Sequence, residues 1–258
     1  MLTLAVGSHS SATHLISPAQ SSLWLAAGWR DMWRQPLLSL GFGALYAGIG
    51  AVLFLVLTEI GMGSLLFPLA SGFMLVGPLA CVFLFEISRR LETGEPISLG
   101  LVVGHVMART AQIGNLGLVL AILMMAWMLA GLVVFALFYP PGMPLALDNF
   151  MTDVVLKPES VGFLAVGSLV GGVLAVIAFS ISVFSMPMML EKDVGVVEAM
   201  TFSIEGVRRN WRTMIGWAAT IAILTLFGMA MAFVGLIIVL PLVGHASWHA
   251  YRDVTGNP

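Results

Sequence analysis

Two histidines one helical turn apart are the sequence's most chemically suggestive feature. They stand in "VLPLVGHASWHAYRD" (Val239–Asp253), where His245 and His249 would present both imidazoles on one helix face. Zinc-binding helices use that spacing, and a third ligand would come from His105 or Glu86. A haem held by two imidazoles would draw them from two different spans, and no second in-span histidine exists. The HExxH pattern of zinc hydrolysis is missing. With Trp248 and Tyr251 alongside, the pair reads better as part of the belt of amphipathic rings where a helix leaves a membrane. Glu86 is an acid inside an apolar run, which makes it a functional candidate. Arg89 and Arg90, three and four residues on, would neutralise it at a helix end. The 17 methionines are dispersed, as gap-fillers are, rather than ranked as copper ligands. No phosphate loop, dinucleotide fingerprint or nucleophile elbow occurs, and no nucleophile has a base and an orienting acid within evident reach. The expectation is therefore no catalytic residue and no cofactor, with haem or a transition metal on these histidines as the alternative.

The elements that must position these residues are membrane helices. Of 258 residues, 59% are apolar and 9% charged, against roughly 25% charged in soluble domains. Mean hydropathy is +1.02. The chain cannot cover a water-facing surface with polar groups, so a lipid bilayer is its solvent. A net charge of −2 excludes nucleic acid as a partner, because phosphate binding needs a basic face. The lone Cys81 cannot form an intrachain disulfide. Residues 1–20 hold no Lys or Arg, so they lack the basic start of a secretory signal and are expected to be a mobile tail.

A span needs about 20 apolar residues. Leu37–Glu59, Leu65–Ile87, Leu116–Tyr139 and Val161–Leu190 each qualify. Met214–Tyr251 is too long for one span and is expected to fold back at Gly228, with Arg212 and Arg252 reaching to the interface. Six spans then gather Arg30, Arg34, Arg89, Arg90, Arg109, Lys192, Arg208, Arg209, Arg212 and Arg252 on one side, with Lys157 opposite. A five-span chain would move Arg252 across. The positive-inside rule puts both termini of the six-span chain in the cytoplasm. Pro140–Ser160, with Asp148, Asp153 and Glu159, becomes the external loop.

Amphipathic stretches precede the odd-numbered spans. "GWRDMWRQP" (Gly28–Pro36) and "GVRRNWRTM" (Gly206–Met214) share Gly, then Arg two, Trp five and Arg six residues later. "GHVMARTAQIG" (Gly104–Gly114) keeps the Gly and Arg109. In the third stretch Val197, Met200, Ile204, Val207 and Trp211 share an apolar face, while Glu205 and Arg209 pair on the polar one. The expected interface anchors are Trp29, Arg30, Trp33, Arg34, Arg208, Trp211, Arg212, Trp248, Tyr251 and Arg252. Pro68, Pro78, Pro187 and Pro241 should bend the even-numbered spans. Arg89 lies eleven residues after Pro78, and Arg252 eleven after Pro241. The expected architecture is an all-α polytopic transmembrane bundle of six spans. It comprises three repeats, about 21–92, 97–192 and 193–253, of interfacial helix plus two-span hairpin, within one domain over 21–258. Gly43-xxx-Ala47-xxx-Ala51 and Gly167-xxx-Gly171 should pack helices closely.

The stretches "GWRDMWRQPLLSLGFGALYAGIG", "GPLACVFLFEISRRLETGEP", "SMPMMLEKDVGVVEAM" and "LPLVGHASWHAYRD" resemble a bacterial integral-membrane family, domain of unknown function 2189, from about Trp24 to Asp253. More remotely, "EAMTFSIEGVRRNWRTMIGW" is similar to the interfacial helix of other six-span bacterial families, including the membrane domain attached to some glycerophosphodiester phosphodiesterases. The resemblance implies a six-span bacterial inner-membrane protein with no established activity. Some relatives carry the label of a cytochrome c oxidase subunit. Catalytic subunits of that kind resemble a much longer fold with several in-span histidines, so the label fits at most an accessory or assembly role. The functional expectation is an accessory, assembly or scaffold subunit touching lipid and other membrane subunits. A small-molecule or lipid transporter lined by Glu86 and His249 is the alternative, and a haem or metal redox subunit a further one. Protein purified in detergent is expected to be colourless and free of stoichiometric metal by elemental analysis. A Soret band or bound zinc would instead make ligands of His245 and His249.

Overall fold

The computed structural model describes residues 13–17, 20–139 and 157–256, and these residues form helices joined by short turns, with no strand among them. The helices are α1 (Gln20–Arg34), α2 (Pro36–Glu59), α3 (Leu66–Ala80), α4 (Val82–Thr93), α5 (Leu99–Ala108) and α6 (Thr110–Phe138). After them come α7 (Val161–Ser182), α8 (Ser185–Glu191), α9 (Val196–Arg209), α10 (Trp211–Ala230) and α11 (Leu236–Thr255).

Three long helices each follow a shorter one after a single non-helical residue: Gln35 before α2, Arg109 before α6 and Asn210 before α10. Pro36 makes the first break sharp, since its ring suits the first helical position and cannot continue a helix from before it. Gly94 and Gly256 close α4 and α11 in the left-handed conformation, at φ 72° and 74°.

Four helical segments are long and apolar enough to cross a bilayer: Pro36–Glu59, Thr110–Phe138, Val161–Glu191 and Trp211–Ala230. Only 11–28% of each segment's most apolar stretch is buried inside the protein, so their remaining surface belongs to lipid. The other two expected spans do not meet that standard as continuous apolar helices. The helix containing Pro78 stops at Ala80 and restarts as the polar α4 after Cys81, and the second half of α11 carries His245, His249, Arg252 and Asp253. Pro187 lies in the first turn of α8, just past the break at Val183–Phe184, and Pro68 in the first turn of α3. Pro241 is accommodated inside an unbroken α11.

The core is built around α11, which packs against α1, α2, α4 and α10, while α6 lies between α3 and α7. Small residues allow this. A Cβ on Gly28 would sit 2.6 Å from the Ala246 nitrogen and 2.8 Å from the Leu242 oxygen, so α1 and α11 touch backbone to backbone. Gly43 meets the Ile237 backbone in the same way, and Ser39, Gly43 and Ala47 form the buried stripe of α2. Gly171 lies under the Trp127 ring, whereas Gly167 has no neighbour within 4 Å. The fold-back expected at Gly228 lies a turn later. Gly228 remains helical and packs on Gly235 and Leu236, while Ala232 and Phe233 make the reversal at φ 50° and 67°.

Part of the expected mobile tail is tied down. The His14 amide donates to the Val254 carbonyl (2.9 Å), and the Asn210 side chain accepts from the Ile16 amide (2.8 Å) and donates to the His14 carbonyl (2.9 Å). Most of the expected external loop, with Asp148 and Asp153, lies outside the described residues. Gly28→Val is expected to cost about 1–3 kcal/mol, the usual price of overpacking. Gly104→Ala, whose Cβ meets nothing within 4 Å, should leave stability unchanged or raise it by up to about 1 kcal/mol through helix propensity. Thermal unfolding of the two variants in detergent measures the difference.

Candidate functional site

The polar half of α11 faces inward, and each of its side chains is matched by another helix. His245 has no exposed surface. Its Nε2 lies 2.9 Å from the Ser39 hydroxyl of α2, and its Nδ1 lies 2.8 Å from the Ser88 hydroxyl of α4. Ser88 donates in turn to Asp31 Oδ2 of α1 at 2.9 Å, and His249 Nε2 lies 2.8 Å from that same oxygen. The carboxylate only accepts, so Ser88 and His249 must both donate to it. With its own proton committed to Asp31, Ser88 accepts from His245, which fixes the neutral imidazole as the Nδ1–H tautomer. Nε2 is then left to accept from Ser39. Burial opposes the Asp31 charge, yet hydrogen bonds from His249 and Ser88 outweigh it and hold its pKa below the ordinary carboxylate value.

A second cluster surrounds Glu86, also without exposed surface. Arg89 grips it with two hydrogen bonds, of 2.8 and 3.0 Å, and Arg90 bonds its Oε1. Arg89 also forks onto Glu95 at 2.7 and 2.8 Å, which lowers the Glu95 pKa to about 2. His105 Nε2 stands 3.6 Å from Glu86 Oε2. A third cluster joins α11 to α4 and α8. Trp248 donates to Glu92 (2.9 Å), Tyr251 donates to Glu191 (2.5 Å), and Arg252 bridges Glu92 (2.7 Å) and Glu191 (2.6 Å). Trp24 of α1 donates to Asp253 at 2.6 Å.

The structure thus separates the four candidate metal ligands. His105 and Glu86 share one cluster, while His245 and His249 share another with Asp31. Among the described residues, no three His, Cys, Asp or Glu side chains are placed to hold a metal ion together. Trp248 and Tyr251, expected as outward rings at the lipid boundary, are fully enclosed because Glu92 and Glu191 supply their hydrogen-bond partners inside the protein. Trp29, Trp33 and Trp211 do point outward, at 47%, 52% and 54% exposure. Arg212 lies over the Trp211 ring at 5.2 Å, and Glu205 pairs with both Arg208 and Arg209. Val197 and Ile204 are exposed beside Trp211, while Met200 and Val207 on the same expected face pack partly buried against the core, so α9 turns that face only partly outward.

Sequence reasoning missed Asp31, Ser39, Ser88, Glu92 and Glu191. It also found no hydroxyl within reach of a base, whereas the fold brings Ser39 to His245. Asp31 was detectable as the one acid in "GWRDMWR". The serines gave no signal, since hydroxyls within apolar helices usually bond their own backbone.

Residues 66–191 match the family described as "Predicted integral membrane protein (DUF2189)". The resemblance read from the sequence is borne out over that segment. The DUF2189 segment runs from α3 through α8, so it holds Glu86, Ser88, Arg89, Arg90, Glu92 and Glu191. It leaves outside it α1 with Asp31, α2 with Ser39, and α11 with both histidines. Neither a curated protein nor a solved structure matches the chain.

Replacing Glu86 by Ala removes the buried carboxylate that Arg89 and Arg90 share, leaving them Glu95 and the Pro96 carbonyl, and is expected to cost about 3 kcal/mol, the low end for breaking a buried ion pair. The pH dependence follows from Asp31 and Glu95. Both have lowered folded pKa values, so their stabilisation is complete above the ordinary 3.8 and 4.5 and is lost as pH falls through the lower folded values. Through these two groups the unfolding temperature should decline as pH falls below about 4, with Asp31→Asn flattening part of that decline. Glu95 is well exposed and contributes little of it.

Proposed function

We propose that this chain is a six-pass scaffold or accessory subunit of a membrane complex in the bacterial inner membrane, with both termini in the cytoplasm. Its carrying observation is that the ionisable side chains at the basic end bind one another, while the surface offered outward is apolar helix and interfacial Trp and Arg. Such a surface suits lipid and other membrane subunits.

The three helix–break–helix junctions at Gln35, Arg109 and Asn210 support a threefold repeat, since each opens a unit that returns through a bent or polar helix. Three crossings made by α3–α4, α7–α8 and α11 would bring those helices back to the basic end. The polar clusters fit this topology, because they join α1, α4, α8 and the end of α11. The transport alternative required Glu86 and His249 to line one cavity, and the two side chains lie in separate clusters.

Extraction from native membranes in mild detergent, with the chain as bait, is expected to recover a fixed set of membrane subunits in stoichiometric amount. Recovery of the chain alone would overturn the scaffold reading. Tags at both ends should be protected from protease in intact spheroplasts, and cleavage of either one would overturn the topology.

A further inference from the structure

Hydrogen-bond polarity gives one hydroxyl a chemical character that a structural serine does not need. Donation runs in a single direction, from Ser39 to His245 to Ser88 to Asp31, across four helices. A hydroxyl bonded to the lone pair of an imidazole, with a carboxylate behind that imidazole, is the arrangement that activates serine nucleophiles. Here one extra hydroxyl, Ser88, stands between base and acid, and His249 holds the acid from its other side.

The surroundings suit an ester. Ser39 lies in the first turn of α2, where an apolar span begins and where the helix dipole favours developing negative charge. Ester carbonyls of lipids lie at that depth of a bilayer. The seam between α2 and α11 is shut by backbone contact at Gly43. The seam between α2 and α4 is closed instead by a ring stack, Phe42 on Phe83 at 4.8 Å and 7°, one helical turn from Ser39. Ser39 itself has no exposed surface, so an ester must part side chains to reach it, and this stack is the candidate gate.

We propose that Ser39 is a nucleophile toward the carbonyl carbon of a lipid-borne carboxylic ester, with His245 as its base and Ser88 and Asp31 as positioning residues. Attack forms the Oγ–carbon bond, breaks the carbonyl π bond and moves the Ser39 proton to His245 Nε2. Collapse of the tetrahedral adduct expels the alcohol, which takes that proton from Nε2. Water, activated by the same nitrogen, then cleaves the acyl-serine, releasing the fatty acid and restoring the Ser39 hydroxyl. This goes beyond the scaffold reading, which concerns the outer surface.

The test uses the full chain in lipid nanodiscs with a fluorophosphonate probe and a long-chain p-nitrophenyl ester. The wild type should carry one adduct, on Ser39 by peptide mass spectrometry, and should release p-nitrophenol. Ser39→Ala abolishes both signals, and His245→Gln slows them at least tenfold. Phe42→Ala opens the gate and speeds labelling by a similar factor. Ser88→Ala parts the imidazole from Asp31, which lowers the plateau rate and moves half-maximal labelling to lower pH. A merely structural serine would give no adduct to be shifted. The proposal is overturned if folded wild type and Phe42→Ala both stay unlabelled, or if labelling or ester release survives Ser39→Ala. Subunit recovery with Ser39→Ala distinguishes the two readings, because the scaffold reading expects it to be unchanged.

Discussion

A polar side chain removed from water must find its partner within the protein, and in this chain that requirement falls mainly on α11. Its second half carries two histidines, a tryptophan, a tyrosine, an arginine and an aspartate on a helix that the bundle encloses. Leaving one buried hydrogen-bonding group unmatched costs on the order of 1–3 kcal/mol, and an unpaired charge costs more. The matching groups come from α1, α2, α4 and α8, so the positions of those helices are set by what α11 needs. The glycines at 28 and 43 complete the arrangement, because only a side chain of that size lets two backbones approach closely enough for the hydrogen bonds to close.

Two kinds of helix surface follow. At the basic end, specific pairs hold each helix in one register, and a small displacement would break several bonds together. Along the spans, contacts are aliphatic and largely with lipid, which imposes no register of its own. The proposed recognition of other membrane proteins would use the second kind of surface, and the proposed proton chemistry the first. The scaffold reading and the Ser39 relay therefore occupy different regions of one molecule.

Much of the architecture was legible in the sequence because bilayer thickness imposes a length that apolar runs must satisfy. The helices at Pro36–Glu59, Thr110–Phe138 and Val161–Ser182 follow directly from those runs. The Glu205–Arg209 pair and the Glu86–Arg89–Arg90 grouping were legible too, since helical spacing alone brings those residues together. What stayed hidden depends on which helices meet. Ser39 and His245 are separated by 206 positions, and no local pattern announces their bond. Trp248 and Tyr251 show the opposite failure. Their composition suits a membrane boundary, but Glu92 and Glu191 on distant helices draw them inward.

The order of synthesis gives the central position of α11 a biological cost. The ribosome makes Asp31, Ser39, Ser88, Glu92 and Glu191 before any residue of the helix that satisfies them. During insertion those groups must wait, hydrated at the interface or sheltered by the insertion machinery, until α11 enters. A chain cut short by a nonsense codon before Leu236 would leave Ser39, Glu92 and Glu191 without their α11 partners and Asp31 without His249, so even a late truncation should mark the nascent protein for membrane quality control.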